Sequence, residues 1–492
     1  MLLRRFYDTK LAQASYLIGC AATGEALVLD PNRDTDQYLR AAAEEGFRIT
    51  HVSETHIHAD FLSGTRELAA RTGATMYLSA EGGPDWSYGF GTDDDRVPVG
   101  DGASFRVGNV RFDVLHTPGH TPEHISFMIT DTAATDRPMG VFTGDFVFVG
   151  DVGRPDLLER AAGIAGTMEA GAHSMFASLA RFKALPDYLQ LWPAHGAGSA
   201  CGKALGAVPS TTLGYERIAN WAFGIEDEGR FVEAILAGQP EPPRYFAEMK
   251  RLNRDGPALL GGLPHVPEVT VEHLATVLAA GGPVVVDTRH AGAFAEGHLP
   301  GTINIPLDRS FPTWAGWLVP YDRDVFLITG EGRPSLVADA VRDLALIGLD
   351  RVRGFVPGEA LEAWMAAGNA RGTIRTMAVE DLAPLLEGGE ARVIDVRDAS
   401  EWRAGHLPGV PNIPVGYLSD HLADLPTDGP LVLQCLTGAR SAIAASVLRA
   451  RGFTNVVNLA GGYADWVARR LPVERSPAGA PVPASGAGAV TA

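Results

Sequence analysis

At 492 residues, with 46% hydrophobic and 20% charged side chains, the chain is too long for one hydrophobic core and too apolar for a disordered or fibrous protein, so several folded domains are expected. A formal net charge of −18 argues against nonspecific nucleic-acid binding, which needs clustered Lys and Arg, and leaves small molecules as the expected partners. The opening Met1-Leu2-Leu3-Arg4-Arg5-Phe6 lacks the apolar core of a signal peptide and no run approaches the ~20 apolar residues of a membrane span, which predicts a cytoplasmic protein with no membrane contact.

From Tyr7 to about Ala222, short apolar runs at 26–29, 110–115 and 139–142 alternate with helical stretches such as 36–45, an α/β pattern. Histidine-bearing loops follow the apolar runs, at strand ends, where α/β folds place their chemistry. The first is Thr55-His56-Ile57-His58-Ala59-Asp60, whose alternating imidazoles and closing carboxylate have the spacing to converge on one ion. His120 follows in His116-Thr117-Pro118-Gly119-His120, then Asp145 in Phe142-Thr143-Gly144-Asp145, then His195 in Trp192-Pro193-Ala194-His195. A lone histidine is most often a core or surface residue; four such elements in this order, each with its Gly or Pro turn, outweigh that reading.

Over about its first 240 residues the chain thus resembles the metallo-β-lactamase superfamily, which implies an N-terminal αββα sandwich. Phe61 stands where hydrolases of that superfamily usually carry a further histidine for a second metal; a phenyl ring cannot ligate, so Asp60, His195 and a share of Asp145 would be left there and a single ion is expected. Three imidazoles, His56, His58 and His120, would favour zinc, whereas two imidazoles with Asp145 make the facial triad of non-haem Fe(II) oxygenases, and ligand counting leaves both open. The persulfide dioxygenase branch is the more similar, through Thr-His-x-His-Ala-Asp, Pro-Gly-His, Thr-Gly-Asp followed by Gly153-Arg154, and Pro-Ala-His. That resemblance implies one Fe(II) per chain on His56, His120 and Asp145, with His58, Asp60 and His195 just outside it. Arg154 reads as an anion anchor for substrate or sulfite, or else as a structural ion-pair partner. Cys201, in the small-residue loop Gly196-Ala197-Gly198-Ser199-Ala200-Cys201, reads as an accessible thiol lining the substrate pocket, or else as a small buried hydrophobe. The enzymatic alternative is a glyoxalase-II-like, zinc-dependent thioester hydrolase.

The stretch 246–265, with Gly256-Pro257, reads as a linker after a first domain at 1–245. Beyond it the chain repeats itself: Val286-Asp287-Thr288-Arg289, Gly297-His298-Leu299-Pro300-Gly301 and Asn304-Ile305-Pro306 recur as Ile394-Asp395-Val396-Arg397, Gly405-His406-Leu407-Pro408-Gly409 and Asn412-Ile413-Pro414, each pair 108 residues apart. Two tandem domains at 266–370 and 376–474 are predicted, then a disordered tail at 476–492 rich in Ala, Gly and Pro. In the second copy a strand runs into Cys435-Leu436-Thr437-Gly438-Ala439-Arg440-Ser441 and a helix, a loop whose amides, helix dipole and Arg440 would stabilise a thiolate or bound persulfide, with Gly438 supplying a conformation other residues resist. With the closing Gly461-Gly462-Tyr463-Ala464-Asp465-Trp466, this copy resembles a single-domain rhodanese, so both copies are expected to be doubly wound α/β domains. The first copy reads Thr329-Gly330-Glu331-Gly332-Arg333-Pro334-Ser335 there and has no cysteine, which predicts a scaffold or interface role, with residual small-anion binding as the alternative and Asp287, Arg289 and His298 serving the fold. The fusion implies oxidation of a low-molecular-weight thiol persulfide (glutathione or similar) by O2 to sulfite, coupled to sulfur transfer between sulfite and thiosulfate through Cys435. A homo-oligomer is expected, and a sulfur-carrier module with a vestigial metal site is the non-enzymatic alternative.

Overall fold

The structure, a computed structural model, describes residues 1–91, 96–162, 166–239, 241–330 and 335–476. It forms two compact units, one of Met1–Pro264 with Arg342–Leu349, the other of His265–Val341 with the described residues from Asp350 onward. Among the described residues no helix is long and apolar enough to cross a membrane.

In the first unit, strands Leu2–Asp8, Gln13–Cys20, Glu25–Leu29, Arg48–Ser53, Thr75–Ser79 and Arg96–Val99 lie side by side in chain order as one sheet. Strands Ser104–Val107, Val110–His116, Ile125–Asp131, Gly140–Gly144, Gln190–Pro193 and Thr211–Thr212 form the other. The two-residue period of a strand explains the layering. Along Gln13–Cys20, the residues Ala14, Tyr16 and Ile18 pack between the sheets with Phe112, Phe127, Phe142 and Trp192, while Leu17 faces helices with Tyr38, Ala42 and Leu68. Strands covered on both faces read as continuous apolar runs, as Glu25–Leu29 does, whereas Val110–His116 alternates. Helix Thr167–Phe182 and helix Glu228–Leu236 cover the other sheet through Met175, Leu179, Phe182, Phe231 and Ile235. The result is the expected αββα sandwich, with each fully buried Phe contributing about 2–3 kcal/mol.

The stretch read as a linker is a different element. Helix Tyr245–Asp255 buries Tyr245, Phe246, Met249, Lys250 and Asn253 against the first unit, and Asn253 Nδ2 donates to the carbonyls of His58 and Phe61, both at 2.8 Å. Its inward-facing residues recur with helical period, and one of them ties down the histidine loop.

The second unit holds two four-stranded parallel sheets. One has the order Ile303–Asn304, Val284–Asp287, Val325–Thr329, Val352–Pro357; the other, Arg392–Asp395, Leu431–Gln434, Val456–Leu459, Arg375–Met377. Parallel bridges Glu268 to Phe355 and Asp395 to Asn412 complete the same five-position order in both, so the sequence repeat is a repeat of fold. The shared motif residues do identical structural work. Arg289 and Arg397 each pair with the aspartate two positions earlier, at 2.7 and 2.6 Å, and donate to the carbonyls of Gly297 and Gly405. Asn304 and Asn412 tie the backbones of the same two residues, and His298 and His406 donate through Nδ1 to the carbonyls of Phe294 and Trp402. The first copy also braces the second: Asn304 N–H donates to Ser446 Oγ at 2.8 Å on helix Ala439–Ala450, and Phe294 joins the apolar cluster of Leu431, Leu433, Cys435 and Leu448. Glu331 and Arg333, and the tail after Ser476, lie outside the described residues.

Candidate active site

Each ligand candidate leaves the end of a strand of the sandwich. His56, His58 and Asp60 follow Arg48–Ser53, His120 follows Val110–His116, Asp145 follows Gly140–Gly144 and His195 follows Gln190–Pro193. Gly144 makes the turn at φ +52°, where a Cβ would stand 2.6 Å from His124 Nε2 and Thr55 Oγ1, so only glycine lets the strand end this close to the histidines.

His56, His120 and Asp145 come together, one ligand atom of each lying within 4.8 Å of the others, and all three are buried. His120 Nε2 lies 3.5 Å and His56 Nε2 3.9 Å from Asp145 Oδ2. His56 Nε2 and both Asp145 oxygens are buried with no hydrogen-bond partner, a cost that a folded protein carries only where something else satisfies the group. The outer edges of the rings are fixed: His120 Nδ1 donates to the carbonyl of Arg154 at 2.9 Å and His56 Nδ1 meets Thr55 Oγ1 at 3.0 Å. That leaves His120 Nε2 as a bare, inward-facing lone pair, the state a metal requires. Burial and the crowd of neighbouring imidazoles hold His56 well below the ordinary histidine range, and burial lowers His120, so both stay neutral. Burial alone would raise Asp145, but His195 beside it more than offsets that and holds the carboxyl below its ordinary range. Two neutral nitrogens and one carboxylate oxygen suit a divalent cation.

His58 stands outside this group. Its Nε2 contacts Asp30 Oδ1 at 3.1 Å, and although burial disfavours its charge, that partner lifts it to about 9. Asp60 and His195 form a neighbouring group, with His195 Nε2 at 3.2 Å from Asp60 Oδ2 and 3.4 Å from Asp145 Oδ1. Phe61, fully buried, lies with its ring 4.4 Å from that of His58.

Two readings of the sequence are corrected. Cys201 is not an accessible thiol: it is 1% exposed, its sulfur joins Asp60 and His195 within 4.8 Å, and burial with the charges of Asp145 and Asp60 pushes it well above the ordinary thiol range. The position beside Phe61 therefore has a third donor that the sequence motifs do not reveal. Arg154 is not free to anchor an anion. Fully buried, it sends Nε and Nη2 to Asp156 at 2.7 and 2.8 Å and Nη1 to the carbonyl of Ala200 at 3.2 Å, so its contribution to the site is the carbonyl that orients His120. Arg154→Met is expected to leave the buried Asp156 charge to the exposed Arg160 alone, at 3.0 Å, and to cost the domain about 3 kcal/mol, the low end for breaking a buried pair. A lower urea midpoint with an unchanged KM would bear this out; a raised KM at full stability would restore the anchor reading.

The motifs do not point to His124 and Asp30, which the fold brings into the site. His124 Nε2 accepts the Asp145 N–H at 3.0 Å while its Nδ1 side meets Thr117 Oγ1 at 2.8 Å, and burial first, then His120, lowers it to about 3. Its place four residues after His120, in His120-Thr121-Pro122-Glu123-His124, is the signal the sequence offers. A cleft of about 400 Å³, lined by Gly82, His116, Pro118, Pro122, Pro155 and Ser174, reaches His120 from outside.

In the second unit, Cys435 ends strand Leu431–Gln434 and is 1% exposed; Gly438, at φ +101°, donates its N–H to the sulfur at 3.1 Å, and Ser441 Oγ lies 3.5 Å from it. Leu436 and Thr437 of the same loop are exposed. Arg440 does not point freely at the sulfur: it makes a two-pronged pair with Glu401, at 2.6 and 2.8 Å.

Comparison with known proteins agrees with this geometry. The metallo-beta-lactamase superfamily model matches residues 8–195 and the rhodanese-like domain model residues 378–469. A hydroxyacylglutathione hydrolase of Methylococcus capsulatus is 29% identical over 270 residues, 52% of this chain and 89% of that protein. The mitochondrial persulfide dioxygenase ETHE1 of Mus musculus is 27% identical over 197 residues, 40% of this chain and 68% of that protein. A crystal structure of a metallo-beta-lactamase from Staphylococcus aureus subsp. aureus COL is 44% identical with a TM-score of 0.65, and covers 73% of this chain and 99% of its own. The chain belongs to the metallo-β-lactamase superfamily, carrying a His56, His120, Asp145 metal site in its N-terminal sandwich and a rhodanese-like domain behind it.

Proposed function

We propose that the sandwich is a mononuclear Fe(II) dioxygenase acting on a low-molecular-weight thiol persulfide, such as that of glutathione, and that Cys435 moves sulfur between such a persulfide and sulfite. The carrying observation is the composition of the buried group: His56, His120 and Asp145 each bring a ligand atom within 4.8 Å of the others, the two-nitrogen, one-oxygen set of oxygenases. The mouse persulfide dioxygenase is a relative of the same domain. Ferrous iron held there would activate O2 beside the persulfide, the electrons that reduce O2 coming from the outer sulfur as it becomes sulfite. The chain's own part is to keep three ligand atoms bare, to fix the rings through Thr55 and the Arg154 carbonyl, and to admit substrate along the cleft to His120. The overall change is persulfide plus O2 plus water to thiol plus sulfite; Cys435 then takes the outer sulfur of a second persulfide, releasing its thiol, and passes that sulfur to sulfite as thiosulfate.

A second reading, zinc-dependent thioester hydrolysis, is favoured by the hydrolase relative and by the Asp60, His195, Cys201 group. Metal analysis of anaerobically purified protein, followed by oxygen-electrode measurements over a panel of persulfides, separates the two. About one iron per chain with persulfide-dependent O2 uptake and sulfite formation is expected. Stoichiometric zinc, thioester hydrolysis and no O2 uptake would sink the dioxygenase reading.

A further inference from the structure

We infer that Glu401 is a positioning residue for sulfur transfer, holding the Arg440 guanidinium beside the Cys435 loop; the inference rests on the sulfurtransferase reading of that cysteine. Arg440 leaves the first turn of helix Ala439–Ala450, directly after Gly438, whose N–H meets the sulfur. Glu401, on helix Ala399–Ala404, takes Nη1 at 2.6 Å and Nη2 at 2.8 Å, a fork-to-fork pair that fixes the plane of the guanidinium as well as its place. A sulfite or thiosulfate dianion approaching the exposed mouth of the loop at Leu436 and Thr437 then meets an oriented cation instead of a mobile one.

The chain contains its own control. Strand register pairs Asp395 with Gln434 and Asp287 with Ile328, which sets Cys435 opposite Thr329 of the cysteine-less copy. Counting along the sequence from there, Arg440 corresponds to Pro334, and the 108-residue offset sets Glu401 against Ala293. The copy without the thiol thus has alanine in place of Glu401, and its loop carries Arg333 one place short of the Arg440 position. It keeps Asp287, Arg289, His298 and Asn304, the same residues that hold the fold as Asp395, Arg397, His406 and Asn412. Glu401 sorts with the chemistry, not with the scaffold.

Glu401 also closes a capping box, its Oε2 accepting the Asp398 N–H at 3.2 Å. That service is dispensable to the fold, because the matching helix Ala291–Glu296 forms with no side-chain cap at His290. The carboxylate's remaining partner is Arg440.

The test compares the full-length wild type with Glu401→Gln, Glu401→Asp, Arg440→Ala and Glu401→Gln/Arg440→Ala in transfer of sulfur from thiosulfate to cyanide. In parallel, alkylation of Cys435 by neutral iodoacetamide is followed by peptide mass spectrometry. Glu401→Gln should raise KM for thiosulfate about tenfold, the scale of one charge-assisted hydrogen bond, with a smaller change in kcat. Glu401→Asp should recover most of it, the double variant should be no worse than Arg440→Ala, and alkylation should stay within about twofold of wild type, the loop being intact. A Glu401→Gln KM within twofold of wild type overturns the inference, as do losses in KM and alkylation that run in parallel and add to those of Arg440→Ala. Absence of any Cys435-dependent transfer in the wild type would instead remove the sulfurtransferase reading beneath it.

Discussion

Cys435→Ser is expected to abolish sulfur transfer, by about 10⁴-fold or more, while leaving persulfide-dependent O2 uptake intact. The sulfur is the only atom of the cradle that can form and break the bond to a transferred sulfur; Gly438 N–H and Ser441 Oγ, at 3.1 and 3.5 Å, only hold it. A serine hydroxyl in the same place is shorter, harder and far less nucleophilic, so geometry survives and reactivity does not. The product balance is the sharper readout: the wild type should release thiosulfate from persulfide and O2, and the variant sulfite. Thiosulfate formation by the variant at the wild-type rate would show that the coupling runs through some other group. Cys20 and Cys201 belong to the other compact unit and are no part of this cradle.

Asp145→Asn is expected to empty the sandwich of metal, stop O2 uptake and spare transfer through Cys435. Asp145 is the anionic member of its trio, with His120 Nε2 at 3.5 Å and His195 Nε2 at 3.4 Å from its oxygens. Changes to groups merely orienting a ligand already cost about 10–100-fold in metal affinity, so loss of the ligand charge should exceed about 100-fold. The side-chain oxygens have no hydrogen-bond partner to lose, while the backbone N–H bond to His124 is untouched, so the domain should remain folded by circular dichroism. Retention of one iron per chain in Asp145→Asn would displace Asp145 from the ligand set.

How much of the site and fold is legible in the residues follows a physical division. The ligand candidates are legible because each is a polar residue at the end of an apolar strand, a position that core packing does not call for, and the tandem domains because one offset aligns three motifs. Burial of Arg154 and Cys201 is not legible: both sit in glycine-containing loops that look exposed, and although Asp156 stands only two residues from Arg154, it takes distant segments, bringing Ala200 to one and Asp60 to the other, to close them in. Helix Tyr245–Asp255 is hidden for the opposite reason. Its own spacing of Tyr245, Phe246, Met249 and Asn253 is helical, but the Pro and Gly on either side suggest a break. His58 shows the limit of motif reading, since Asp30, whose carboxylate meets its Nε2, belongs to no histidine motif and reaches it through the fold alone.

The bracing of helix Ala439–Ala450 by Asn304 and of the neighbouring apolar cluster by Phe294 carries a consequence for how such a chain changes over time. A duplicated module that has shed its reactive thiol is ordinarily dead weight, open to deletion. Here its backbone holds the helix that follows the Cys435 loop, so excising it would uncover greasy surface and loosen that helix in a single event. The copy without a thiol is in this sense part of the framework of the copy that has one.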